Sequence, residues 1–123
     1  MSTVLYVDDE DAIRRALTSW LTRRGHTVFT AGSSNEAIAI LKEHDEVDAM
    51  FIDIWLGSES GFDLFEWVDM NRPQLIEHIA FVTGAIVRDS DVERSLDAFA
   101  RPILTKPFEL SELEHMITTW STH

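Results

Sequence analysis

The chain contains no cysteine in its 123 residues, which excludes disulfide staples and thiolate metal sites. Cationic residues are scarce. Ten Lys and Arg stand against 22 Asp and Glu, for a formal net charge of −12. A surface of that sign repels phosphate backbones and argues against direct nucleic-acid binding. No apolar run approaches the ~20 residues that span a bilayer, and no basic-then-apolar leader opens the sequence. These absences lead us to expect a cytoplasmic protein without a membrane partner. Hydrophobic residues nevertheless make up 45%, enough for one folded domain, 1–123, around its own core.

What is present is a series of short apolar runs that stop abruptly at polar residues. Val4-Leu5-Tyr6-Val7 stops at Asp8-Asp9, Met50-Phe51-Ile52 at Asp53, Ala80-Phe81-Val82 at Thr83, and Ile103-Leu104 at Thr105-Lys106-Pro107. Such runs read as buried strands of a parallel sheet. Thr27–Ala31 adds a polar-flanked strand suited to an edge, and the run ending at Ile52 is expected to start at Val47. Helical spacing fills the intervals. Ile13, Leu17, Trp20 and Leu21 share a face within 11–24, which Gly25 terminates. Ser34 or Asn35 is placed to cap a helix reaching Lys42. Further helices are expected over 62–70, ending before Pro73, over 90–99 with few large apolar residues, and over 110–120. Residues 57–61 read as a loop. Five βα units without a break imply an α/β protein, a flavodoxin-like doubly wound parallel sheet of order 2-1-3-4-5.

In sheets of this kind ligands bind beyond the carboxyl ends of the strands. Asp8, Asp9, Asp53, Thr83 and Lys106 are therefore expected to meet along one edge. Neighbouring carboxylates repel one another unless a cation lies among them. Mg²⁺ suits such a set, because it takes oxygen ligands and pairs carboxylates with phosphate. Asp53 is then a candidate phosphoryl acceptor, with Lys106 as a fixed charge and Thr83 as a hydroxyl donor to the same group. Taken singly, an Asp pair caps a helix, a strand-end threonine is ordinary and a lysine is a surface charge. Their joint order at the ends of successive strands is what points to a site.

These motifs are those of a known family. Val7-Asp8-Asp9-Glu10, Asp53 with Gly61 eight residues on, Val82-Thr83-Gly84 and Lys106-Pro107-Phe108 together resemble the receiver domains of bacterial two-component response regulators, over essentially the full chain. The resemblance implies a phosphoryl-accepting signalling switch rather than a turnover enzyme. It implies that a histidine kinase or histidine phosphotransfer protein phosphorylates Asp53, and that a downstream output protein or domain reads the result. It further implies that Mg²⁺ is held by Asp9, Asp53 and the backbone carbonyl of Trp55, with Asp8 acting largely through water. Thr83 and Lys106 would contact the phosphoryl group, and the Lys106-Pro107 peptide would be cis.

The sequence departs from the family at three points. Gly57 stands where a proline is usual, Ile103 where an aromatic switch residue is frequent, and the bulky Trp55 beside the acceptor. The Arg101-Pro102-Ile103-Leu104-Thr105-Lys106-Pro107 stretch resembles receivers attached to or derived from hybrid histidine kinases. An aspartyl-nucleophile phosphohydrolase would carry a second Asp two residues after the nucleophile, where this chain has Trp55. A flavodoxin would open with a Ser/Thr/Gly phosphate loop, where this chain has Asp8-Asp9-Glu10-Asp11. A degenerate receiver would lack part of the five-residue set. The five histidines show no ligand spacing and are expected on the surface, as are Arg14 and Arg15. Trp20, Trp67 and Trp120 read as core-facing helix residues.

Overall fold

Successive side chains of a strand point to opposite faces, and in the first strand, β1 (Thr3–Val7), both faces are apolar. Leu5 and Val7 enter one core while Val4 and Tyr6 enter the other. That requires helices on both sides of the sheet. In the computed structural model, which describes residues 2–84 and 90–121, they are there. The chain continues through α1 (Asp11–Arg23), β2 (Thr27–Ala31), α2 (Ser34–Glu43), β3 (Ala49–Asp53), a hairpin of β4 (Trp55–Leu56) and β5 (Glu59–Ser60), and α3 (Gly61–Asn71). A 3₁₀ segment, Pro73–His78, leads into β6 (Ile79–Thr83). Then follow α4 (Ser90–Phe99), β7 (Ile103–Thr105) and α5 (Leu110–Ser121).

The central sheet has the order β2-β1-β3-β6-β7, with every neighbouring pair parallel. With the small hairpin set aside, this is the expected 2-1-3-4-5 order, and β2 is an edge strand as its polar flanks suggest. Leu17 and Leu21 of α1 and Leu113 and Ile117 of α5 cover Val4, Tyr6, Phe51 and Val82. On the opposite face, Ala37 and Leu41 of α2, Leu64 and Val68 of α3 and Val92 of α4 cover Leu5, Ile52 and Phe81. Phe99 anchors the end of α4 against Phe62, Phe65 and Phe81, with ring centroids 4.6 to 6.1 Å apart. The helix is thinly apolar, but its last turn is not loosely held.

Local details differ from the sequence reading. The third long strand runs from Ala49 to Asp53, so Asp53 is its last residue; Val47 is buried but precedes the pairing. The 57–61 segment is not a plain loop, because Trp55 pairs with Ser60 and Leu56 with Glu59 across the hairpin. Helix α2 is capped by Ser33, whose Oγ accepts the Glu36 N–H at 3.2 Å, not by Ser34 or Asn35. Gly25 does stop α1, with a φ of +94° that glycine adopts without a Cβ penalty. The three helix tryptophans pack against the two cores as expected.

Two surface expectations fail. Arg14 turns inward and donates from Nη1 to the Asp8 carbonyl at 2.6 Å, whereas Arg15 stays in solvent against Asp11. His26 is largely buried. Its Nδ1 accepts the Ser2 N–H at 3.2 Å, and its Nε2 lies 3.0 Å from Glu114. His123 lies outside the described residues, as does the 85–89 part of the segment after Thr83.

Candidate functional site

Four neighbouring strands end in one row. The register places Val7 beside Ile52, Asp53 beside Val82, and Thr83 beside Thr105. Asp8, Asp53, Thr83 and Lys106 thus reach the same sheet edge, as the strand ends in the sequence imply. Carboxylate oxygens of Asp8, Asp9 and Asp53 lie within 4.8 Å of one another. Lys106 Nζ bonds two of the three, 2.9 Å from Asp8 Oδ2 and 2.9 Å from Asp53 Oδ2, and lies 2.9 Å from Glu10 Oε1 as well.

The three acids are held differently. Asp8 is fully buried. Its Oδ2 accepts the Tyr6 hydroxyl at 2.7 Å and its Oδ1 accepts the Glu10 N–H at 2.9 Å. Asp9 is exposed, and its Oδ2 accepts the Gly57 N–H at 3.1 Å. Asp53 is buried, with Oδ1 accepting the Trp55 N–H at 2.9 Å and Oδ2 the Lys106 ammonium. Thr83 is also buried, and its carbonyl accepts the Lys106 N–H at 2.7 Å. The Lys106-Pro107 peptide is cis.

Two glycines beside these acids matter for different reasons. A Cβ on Gly61 would sit 2.1 Å from the Asp53 carbonyl oxygen, so the start of α3 packs directly on the backbone of the acceptor candidate. That explains the Asp53–Gly61 spacing. Gly57 has a φ of +63°, which proline cannot adopt. The departure from the family's proline thus changes the backbone here and supplies the N–H that Asp9 accepts.

The electrostatics follow from burial and charge count. Burial raises the Asp53 carboxyl above the usual carboxylate range, and Asp8 adds to the rise. The Trp55 N–H and the Lys106 ammonium oppose it without cancelling it. Burial alone would lower the Lys106 ammonium, but its bonds to Glu10, Asp53 and Asp8 outweigh that and raise it. Tyr6 is pushed far up by burial and by Asp8, so its hydroxyl stays a donor. Three close carboxylates facing one lysine leave net negative charge, and all three offer hard oxygen donors. This donor set fits a small divalent cation such as Mg²⁺. Asp9, Glu10, Asp53, Trp55, Gly57, Gly84 and Lys106 line a cavity of about 260 Å³ over the acids.

Sequence reasoning missed three participants: Tyr6, Glu10 and Arg14. Tyr6 carried a readable signal, since it is the one hydroxyl within the apolar run Val4–Val7 and shares a face with Asp8 two residues on. Glu10 precedes α1 without capping it, its side chain having gone to Lys106.

Comparison with known proteins agrees with this geometry. Residues 4–118 match the family model described as the response regulator receiver domain. The chain is 37% identical over 112 residues to the transcriptional regulatory protein KdpE of Mycobacterium tuberculosis, covering 91% of this chain and 47% of that one. It is 35% identical over 114 residues to the sensor kinase CckA of Brucella abortus, covering 91% of this chain and 12% of that one. The chain thus spans about half or less of these relatives. A response regulator receiver protein from Pseudomonas putida superposes with a TM-score of 0.84 at 26% identity, over 96% of both chains. Sheet order, site geometry and these matches agree that the chain belongs to the response regulator receiver domain family.

Proposed function

We propose that the chain, as one domain over 1–123, accepts a phosphoryl group on Asp53 from a phosphohistidine partner and switches the surface it offers to an output protein. The observation that carries this reading is the placement of Asp53, a buried carboxylate of raised basicity, between Lys106 and two further acids. A carboxylate oxygen of Asp53 attacks the phosphorus of the phosphohistidine. The P–O bond forms as the P–N bond breaks, and the imidazole leaves with the electron pair and takes up a proton. Lys106 balances charge on the phosphoryl oxygens, and the Thr83 hydroxyl donates to one of them. Asp8, Asp9, Asp53 and the Trp55 carbonyl would hold Mg²⁺, which when bound neutralises the phosphoryl oxygens. Phosphorylation then draws on contacts that Lys106 now makes to Asp8, Glu10 and Asp53, and so biases the β6 and β7 ends of the sheet.

A phosphodonor must bring its histidine to this cavity. An adjoining apolar groove of about 560 Å³, formed by Ala12, Ile13 and Ala16 of α1 with Pro107, Phe108 and Leu110, supports docking there. The absence of a general-acid carboxylate at Trp55 favours a switch over a phosphohydrolase.

Incubation with acetyl phosphate and Mg²⁺ tests the reading by intact mass. The expected result is one added phosphoryl group, mapped to Asp53 and absent in Asp53→Asn, with the variant's circular dichroism unchanged. Equal uptake by Asp53→Asn, or uptake at another residue, would reject the assignment.

A further inference from the structure

Trp55 lines two cavities. One is the acid cavity, and the other is a groove of about 500 Å³ between α2, the β4–β5 hairpin and α3. Ile38, Trp55, Leu64 and Trp67 give this groove an apolar wall, and the carboxylates of Glu59 and Asp63 lie along it. Trp55 is 53% exposed, unusual for so large an apolar side chain in this protein. Among the described residues neither Glu59 nor Asp63 has a cationic partner; Glu59 only accepts the Ser34 N–H at 3.5 Å. The Ser34 hydroxyl, at the same wall, is buried without a hydrogen-bond partner. Indoles beside unpaired carboxylates form a cation-accepting surface: the π faces attract a cation, and the acids steer and anchor it.

We propose that this groove docks a segment of a partner protein in which arginine or lysine is flanked by apolar residues, the cation lying between Glu59 and Asp63 and against the indoles. Charge decides among occupants. A second copy of this chain carries a net charge of −12 and would meet these acids with net repulsion, and seven of its ten cationic residues already bond acids or carbonyls of their own chain. An anionic membrane would be repelled by the same acids. The groove lies away from the α1 groove assigned above to the phosphodonor, and the proposal is independent of phosphoryl acceptance.

Phage-displayed random peptides panned on the unmodified protein test it, followed by calorimetry of the most enriched synthetic peptide. The expected peptides carry Arg or Lys next to apolar residues, bind with a stoichiometry of one, and lose about tenfold or more in affinity to Trp55→Ala. The Glu59→Gln/Asp63→Asn double variant is expected to lose similarly, and more at low salt than at high salt. Both changes are at exposed side chains, and circular dichroism confirms folding. Enrichment of neutral or acidic peptides, or affinity unchanged in both variants, would overturn the proposal. So would concentration-dependent dimerisation abolished by Trp55→Ala, which would mean that a second copy fills the groove.

Discussion

The Tyr6 hydroxyl donates to Asp8 Oδ2 at 2.7 Å, and both residues are completely buried. A carboxylate at the floor of an acidic cluster is thereby fixed from inside the protein by a neutral donor, while Lys106 approaches it from the cavity side. Removing the hydroxyl alone, in Tyr6→Phe, leaves a buried carboxylate one donor short. The expected cost is about 1–3 kcal/mol, read as a lower urea midpoint at unchanged slope. A midpoint equal to that of the unmodified protein would show that the bond is not formed in solution.

Asp8 and Asp9 should separate in their effects. Asp8→Ala orphans the Tyr6 hydroxyl and is expected to destabilise the metal-free protein by about 1–3 kcal/mol. Asp9 is exposed and held by the Gly57 N–H, so Asp9→Ala relieves repulsion and leaves metal-free stability unchanged or higher. Mg²⁺ titration followed by tryptophan fluorescence is expected to show the larger loss of affinity for Asp9→Ala. Equal affinities, or a less stable metal-free Asp9→Ala, would count against this division.

Gly61→Ala places a methyl group 2.1 Å from the Asp53 carbonyl oxygen, a distance only backbone movement relieves. The variant is expected to lose more than about 2 kcal/mol and to take up phosphoryl groups from acetyl phosphate more slowly than the unmodified protein. Gly57→Ala, strained by its positive φ but with space around it, should cost less. Thermal melts of the pair decide the order.

Glu114 joins α5 to the end of α1 and to the buried His26. Its bonds to Arg24 lower the carboxyl below the ordinary glutamate range; burial opposes this, and His26 adds to the lowering. A lowered pKa in the folded state means stability that is present above the unfolded value of about 4.3 and lost as pH falls through the folded one. Glu114→Gln is therefore expected to melt below the unmodified protein at neutral pH, and the gap should close on acidification. A gap independent of pH would remove the ionic contribution.

The positions of strands and site residues were legible in the chain because both depend on local order. Two-residue alternation fixes which way a side chain faces, and an apolar run that halts at Asp8, Asp53 or Thr83 marks a carboxyl end whatever the strand's neighbours. Parallel βα units then put those ends on one edge, so three acids and Lys106 meet without further information. Tertiary structure decided what each acid is bonded to. Asp8 is satisfied by Tyr6, Lys106 and the turn to Glu10, and Asp9 by Gly57, 48 residues away. Arg14, polar and helical, read as a surface residue because its target is a backbone carbonyl that no side-chain pattern announces. His26 read the same way, since its partners Ser2 and Glu114 are brought together only when α5 docks. Such choices depend on register, helix docking and the space left over. Gly61 belongs to both levels: its spacing from Asp53 was visible in the sequence, but the reason, a contact with the Asp53 backbone too close for any Cβ, exists only in the folded protein.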